Sequence, residues 1–575
     1  MKKFYVFLLI CGLLVQPFAV VAQTIKIDVK AEKWAAQTLK NLTLREKIGQ
    51  MIIMPLSGEF TNTKSEKFAE MRRRIVENKV GGFTLFRGEA NSIAALTNEA
   101  QKLAKIPLFF SADYERGLRM QLRTGTPFTT NMGVAAAGDV SAAYRQGAII
   151  CEEMRAIGAN WLFAPVADVN NNPDNPVINI RSFGADPNKV GEFVAALSGG
   201  AREANCLSTL KHFPGHGDTA TDSHIGLSVV NADRARLDRV ELAPFRAGID
   251  GGVDSIMTAH LALPKVTDDE IPATLNPKIT IDILRNELKF KGIITTDSME
   301  MGAITKNFPN GQSAVMAVKA GADVVLFPPN VEKAVEAIEN AVKSGEILEK
   351  RIDESVRRLL AAKYRLGLTE NRFVDLAKVN ESVEKPENVR EAMRTAEKSI
   401  TLLRNDDRIF PLTKEKASKT LFVIVAADDD AVEGATLMPE IARRAPKAKI
   451  IRLDPRSTAE EYAVVLSDAA SFDSIVLAPF IKRAAAKGTV ALLENQAAFV
   501  KQMLAAKGEK TAVIAFGNPY MIRQFPEARN YVVTYAIEDV AQTAAVKTMF
   551  GEVSFQGRLP INIPNLFQIG SGIVK

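Results

Sequence analysis

Three of the four histidines in this 575-residue chain fall within one short run, Lys211-His212-Phe213-Pro214-Gly215-His216-Gly217-Asp218-Thr219-Ala220-Thr221-Asp222-Ser223-His224. Imidazoles interleaved with carboxylates suit proton transfer or metal binding. Asp222 stands two residues before His224, close enough to accept a hydrogen bond from one ring nitrogen and set the tautomer, which leaves the other nitrogen to carry a proton to a leaving group. His212 and His216 have the i, i+4 spacing of a helical zinc pair. Pro214 and Gly215 between them argue against a helix, so the run reads as a loop and a zinc hydrolase is the weaker reading. No metal and no cofactor is expected. The complementary group is Asp297, which follows Ile293-Ile294-Thr295-Thr296. A fixed carboxylate facing a proton donor is what glycoside cleavage needs: the carboxylate attacks the anomeric carbon while the donor protonates the departing oxygen. The competing role for Asp297 is to cap a helix opening at Ser298-Met299-Glu300.

Elements of a particular kind must hold these groups in place. Short apolar runs recur at Ile48–Pro55, Gly82–Phe86, Ile106–Ala112, Trp161–Val169, Leu207–His212, Ser255–His260, Gly292–Asp297 and Ala322–Phe327. Helical stretches such as Ala142–Ile157, Val190–Ala204 and Val331–Ser344 separate them. Eight strands alternating with helices predict an α/β fold, a TIM-like (β/α)8 barrel, whose active site lies at the C-terminal strand ends. Polar residues end five of the runs: Asp113, Asp168, Lys211 with His212, His260 and Asp297. The barrel is expected over residues 23–370 and a charged linker over 371–397. A second α/β domain with an open, largely parallel sheet follows over 398–575, from runs at Ser399–Arg404, Thr420–Ala426, Lys449–Leu453, Ser474–Pro479, Thr511–Phe516 and Tyr531–Tyr535.

Composition excludes several other classes. Hydrophobic residues at 47% and charged residues at 24% describe a globular protein rather than a disordered one. The formal charge of +6 falls to +4 without Lys2 and Lys3, and it is mixed with 67 acidic residues, so no nucleic-acid partner is expected. Lys2-Lys3, the apolar run Phe4–Val15 and Val20-Val21-Ala22 before Gln23 form a secretory signal over residues 1–22. Export to a periplasm or the medium is expected. Gln16 and Pro17 cut the run short of the ~20 residues a membrane span needs, and no membrane span is expected in the mature chain. Cys11 falls in the leader; Cys151 and Cys206 read as buried small hydrophobes rather than a disulfide or metal pair.

Together these segments resemble glycoside hydrolase family 3, in its β-N-acetylhexosaminidase branch, over nearly the whole mature chain. The Lys211-to-Gly217 motif continuing to Asp222-Ser223-His224 carries the resemblance. It is joined by Ser399-Ile400-Thr401-Leu402-Leu403-Arg404-Asn405, Phe516-Gly517-Asn518-Pro519 and Gly557-Arg558-Leu559-Pro560-Ile561-Asn562-Ile563-Pro564 in a C-terminal α/β sandwich domain. The resemblance implies His224 as general acid/base with Asp222 as its partner, Asp297 as nucleophile, and Asp113, Arg181, Lys211 and His212 as sugar-binding residues. It implies a carbohydrate substrate: a retaining, exo-acting enzyme that removes terminal β-N-acetylglucosamine, with peptidoglycan fragments the natural source for an exported protein. A β-glucosidase, a phosphorylase and a sugar-binding barrel of weakened activity stay open beside it. One departure stands out: Arg116 replaces a glycine of the family pattern, and Gln121 stands where a sugar-contacting arginine is expected, with Arg119 or Arg123 as substitutes.

Overall fold

The computed structural model describes residues 28–222, 225–428, 432–481 and 490–575; the expected leader over residues 1–22, with Cys11, lies outside the described residues. Runs rich in Ile, Val, Phe and Thr form strands buried on both faces, which is why they read as nearly unbroken apolar segments rather than alternating ones. The strands are β1 Ile52–Gly58, β2 Gly82–Gly88, β3 Phe109–Ala112, β4 Trp161–Leu162, β5 Leu207–Phe213, β6 Ser255–Thr258, β7 Ile293–Thr296 and β8 Val325–Leu326. All are parallel, in the order β8-β1-β2-β3-β4-β5-β6-β7. A bridge between Thr295 and Val324 brings β7 against the approach to β8, so the ring nearly closes into a barrel.

Two strands differ from the sequence reading. Ile48, Gly49 and Gln50 finish the helix Leu44–Gln50 instead of opening β1, because Thr43 and Glu46 form a reciprocal capping box that starts a helix there. β4 is a regular strand only at Trp161 and Leu162, with an isolated bridge from Val166 to Lys211 beyond it, rather than continuous through Val169. Pro165 has no N–H to offer a ladder, and after the contact of Val166 and Ala167 with Lys211 the chain turns into a long loop.

The helices Val140–Ala156 and Pro187–Glu203 cross closely on the barrel wall. The approach depends on missing side chains: a Cβ on Gly200 would stand 1.9 Å from the Tyr144 carbonyl oxygen, and one on Gly147 would stand 2.1 Å from that of Leu197. Cys151 lies in the first of these helices and Cys206 at the entry to β5; both are buried free thiols, with Cys206 Sγ 3.7 Å from the Cys151 carbonyl oxygen. Among the described residues no helix is long and apolar enough to cross a membrane.

The second sheet comprises β9 Thr401–Asn405, β10 Thr420–Val425, β11 Lys449–Leu453, β12 Ser474–Pro479, β13 Thr511–Ala515 and β14 Asn530–Val533, in the order β9-β14-β13-β12-β10-β11. Only β9 runs antiparallel to its neighbour. Alternation along β10 divides its side chains between two cores, Leu421, Val423 and Val425 on one face and Phe422 and Ile424 on the other, as a helix-covered α/β sandwich requires. Within residues 371–397 lies most of the helix Pro386–Ser399, whose Ala392 packs in the barrel's core and Ala396 in the second domain's.

The domains share more than a linker. Met132 and Ala136, on a loop helix of the barrel, sit in the second domain's core. Asn170 Nδ2 donates to Tyr520 Oη at 2.8 Å, and the Ala185 and Arg558 amides donate across the seam to Pro560 and Ala136 carbonyls at 3.0 and 2.9 Å.

Candidate active site

Successive residues of a regular strand point to opposite faces, yet Lys211 and His212 both address the barrel mouth. The register of β5 against β6 shifts between Leu210 and Phe213, and this irregularity lets consecutive side chains serve one site. Lys211 Nζ lies 2.6 Å from Asp113 Oδ1 and 2.9 Å from Glu115 Oε1. Glu115 in turn receives Arg181 Nη2 at 2.6 Å. His212 gives Nδ1 to Asp168 at 2.7 Å and presents Nε2 to Arg181 Nη2 at 3.3 Å. Asp113, Arg181, Lys211 and His212, which come from three separate strand ends or loops, are therefore brought together, with Glu115 and Asp168 as the hubs between them. A ring nitrogen facing a guanidinium is ill placed to hold a cation, so His212 does not suit a zinc site.

The charges in this cluster sustain one another. Burial pushes the Glu115 carboxyl up, but Arg181 and Lys211 outweigh it and hold it well below the usual carboxylate range. Burial likewise disfavours the Lys211 ammonium, and Asp113 and Glu115 reverse the effect, so its pKa is raised. Asp168, fully buried, stays below its ordinary value because His212 and the His216 amide stabilise the anion against burial. These are the directions expected of charges fixed before a ligand arrives.

Asp297 follows β7 directly. Its amide donates to the Thr258 carbonyl of β6 at 3.1 Å, and its Oδ1 accepts from the Ser298 amide at 2.7 Å. Burial raises its carboxyl, but the pull of His212 and His260, the Ser298 N–H and Lys211 lowers it further, so the group is an anion at neutral pH. Among the described residues no helix begins at Ser298; the next runs from Gly302 to Thr305, so helix capping does not explain the position of Asp297. His260 supports the same turn, with Nε2 2.8 Å from the Ser298 carbonyl oxygen and Nδ1 2.9 Å from Thr274 Oγ1.

Asp222 is buried at the end of the loop that leaves β5, whereas Ser223 and His224 lie outside the described residues. The loop is held at several points. The His216 amide donates to Asp168 Oδ1 at 2.6 Å, and Arg236 pairs with Asp218 at 2.6 Å. Asn175 Nδ2 reaches the carbonyl oxygens of His216 and Gly217 at 2.8 and 3.0 Å and Thr219 Oγ1 at 3.3 Å. Beyond His224, Ile225 offers its carbonyl oxygen to Lys306 Nζ at 2.6 Å, and Ser228–Val229 pairs with Leu261–Ala262. Lys306 belongs to the loop after Asp297, so the two loops that carry the carboxylate and the dyad candidates are joined directly.

Sequence reasoning gave no role to Glu115, Asn175 or Thr219. Glu115 was signalled only by its place two residues after Asp113. Asn175 was hidden in the run Asn170-Asn171-Asn172-Pro173-Asp174-Asn175, which reads as turn chemistry. The proposed arginine substitutes are engaged elsewhere: Arg119 pairs with Asp539 at 2.7 Å, and Arg123 is 89% exposed and 3.6 Å from Glu89. Arg116 pairs with Glu538 at 2.8 Å, so the departure at residues 116–121 ties the loop after β3 to the second domain.

Residues 43–362 match the model of the glycosyl hydrolase family 3 N-terminal domain and residues 400–568 that of its C-terminal domain. A β-N-acetylglucosaminidase/β-glucosidase of Cellulomonas fimi is 27% identical, over 94% of this chain and 97% of its own. A β-hexosaminidase of Hydrogenovibrio crunogenus is 32% identical over 44% of this chain and 73% of its own. Among solved structures, a family 3 β-N-acetylglucosaminidase from Paenibacillus superposes with a TM-score of 0.81 at 34% identity, covering 91% of this chain and 99% of that one. A β-glucoside phosphorylase superposes with a TM-score of 0.82 at 25% identity, covering 94% and 97%. With both domain models matched in order along one chain, and a charged cluster at the barrel mouth, the chain belongs to glycosyl hydrolase family 3 and is a glycoside hydrolase.

Proposed function

We propose that the protein is a retaining, exo-acting β-N-acetylhexosaminidase that removes terminal β-linked N-acetylglucosamine through a covalent glycosyl-enzyme. The observation that carries this reading is the anionic Asp297, fixed at the end of β7 beside the Lys211 and His212 cluster. Asp297 attacks the anomeric carbon; His224, oriented by Asp222, protonates the leaving oxygen and then, as the neutral base, activates water for release. Such acid/base help contributes typically ~10²–10⁴ in rate. Asp113, Arg181, Lys211 and His212 grip the sugar's polar substituents, Glu115 and Asp168 keeping them charged and oriented. The relatives named for N-acetylglucosaminides and hexosaminides support the sugar preference. Together with the secretory leader, they favour peptidoglycan fragments in a periplasm or outside the cell as the substrate.

The reading is tested on chromogenic monosaccharides. Asp297→Ala abolishes turnover on every substrate. His224→Ala spares aryl glycosides with acidic phenols and fails on leaving groups that need a proton. Equal loss in both variants on both substrate types removes the role assignment. N-acetylglucosaminides are cleaved in preference to glucosides, and a sugar phosphate appearing only in phosphate buffer identifies a phosphorylase instead.

A further inference from the structure

We propose that Asn175 is a positioning residue for acid/base catalysis: it joins the turn that presents Arg181 to the loop that leads to Asp222, so that sugar grip and proton delivery share one frame. The proposal rests on the acid/base reading of Asp222 and His224. Asn175 is fully buried, and its carboxamide uses both ends. Oδ1 accepts the Val177 and Ile178 amides at 2.9 and 2.8 Å, shaping the turn from which Arg181 extends; Arg181 itself returns Nη1 to the Val177 carbonyl at 3.3 Å. Nδ2 faces three oxygens of the following loop, those of His216, Gly217 and Thr219. Thr219 closes the frame by meeting His216 Nδ1 at 2.7 Å, and the His216 amide is bonded to Asp168, the residue that orients His212. A change at Asn175 is therefore transmitted to the loop without removing any group that touches the sugar.

The two ends of the carboxamide separate by substitution. Asn175→Asp keeps an acceptor for the Val177 and Ile178 amides but sets a carboxylate against carbonyl oxygens where a donor stood. Asn175→Ala removes both ends. The measurements are kcat and KM on an unactivated N-acetylglucosamine disaccharide and on a 2,4-dinitrophenyl N-acetylglucosaminide, with inhibition by free N-acetylglucosamine as the check on the sugar subsite. Asn175→Asp loses kcat on the disaccharide on the order of 10²-fold, the scale of a misplaced catalytic group, while dinitrophenyl turnover and product inhibition change little. Thr219→Val, which removes one of the three Asn175 contacts together with the Thr219 hydroxyl's bonds to His216 and leaves Asn175 in place, gives a smaller loss of the same pattern even where the Asn175 variants fail to fold. Equal losses on both substrates, or full activity on both with inhibition retained, overturns the proposal. A His224→Ala variant indifferent to leaving-group acidity, or a wild-type enzyme inactive on both substrates, defeats the acid/base reading itself and the proposal with it.

Discussion

At Asp297 burial and charge pull in opposite directions, and charge wins because His212, His260 and Lys211 surround the carboxyl. Asp297, the proposed nucleophile, is therefore held as the anion at neutral pH. With an activated aryl glycoside, which needs no proton donor, the acid limb of kcat/KM is expected below the ~3.9 of a free aspartate. His216 tells the reverse story. Burial first, and then the neighbouring His212, depress its pKa to about 4, so it is neutral in the folded protein. Above the ordinary value near 6.5 both states are neutral and stability is indifferent to pH. Between about 6.5 and about 4 the unfolded chain takes up the proton and the folded one does not, so stability falls by roughly 1.4 kcal/mol per pH unit. Urea unfolding at pH 7 and pH 5 checks this, and His216→Gln is expected to flatten the difference.

Among the elements, the close crossing of Val140–Ala156 on Pro187–Glu203 makes a sign prediction. Alanine is a better helix former than glycine by about 1 kcal/mol, yet Gly200→Ala is expected to destabilise by about 1–3 kcal/mol, because its methyl would meet the Tyr144 carbonyl. Thermal unfolding decides which effect prevails. The same competition explains what could be read in advance. Strands such as Lys449–Leu453 and Ser474–Pro479 were legible to the residue, because each is a short run centred on two β-branched residues and separated from its neighbours by helical stretches. Ile48–Gln50 were misread because the capping box that claims them lies upstream of the apolar run. In the candidate site, strand-end polar residues pointed to Asp113, Lys211, His212 and Asp297, since a barrel fixes where strands end. The Asn175 frame was not legible, because it depends on where two long loops meet, which neither periodicity nor spacing encodes.

For the molecule as a whole, the seam between the domains is a shared core rather than a hinge. Met132 is fully buried among residues of the second domain although its own helix belongs to a barrel loop. Met132→Ala is expected to cost about 2–5 kcal/mol, and calorimetry is expected to give a single transition in both proteins, with two resolved transitions counting against a shared core. The thiols offer a way to follow this from one side only. No cysteine lies beyond Cys206, so the second domain contributes none, and Cys151 and Cys206 are both sealed in the barrel wall. In a chain lacking Cys11, an alkylating reagent added to the native enzyme thus clocks the breathing of that wall alone. If Met132→Ala, acting from the far side of the seam, quickens the labelling, loosening of one lobe is felt by the other.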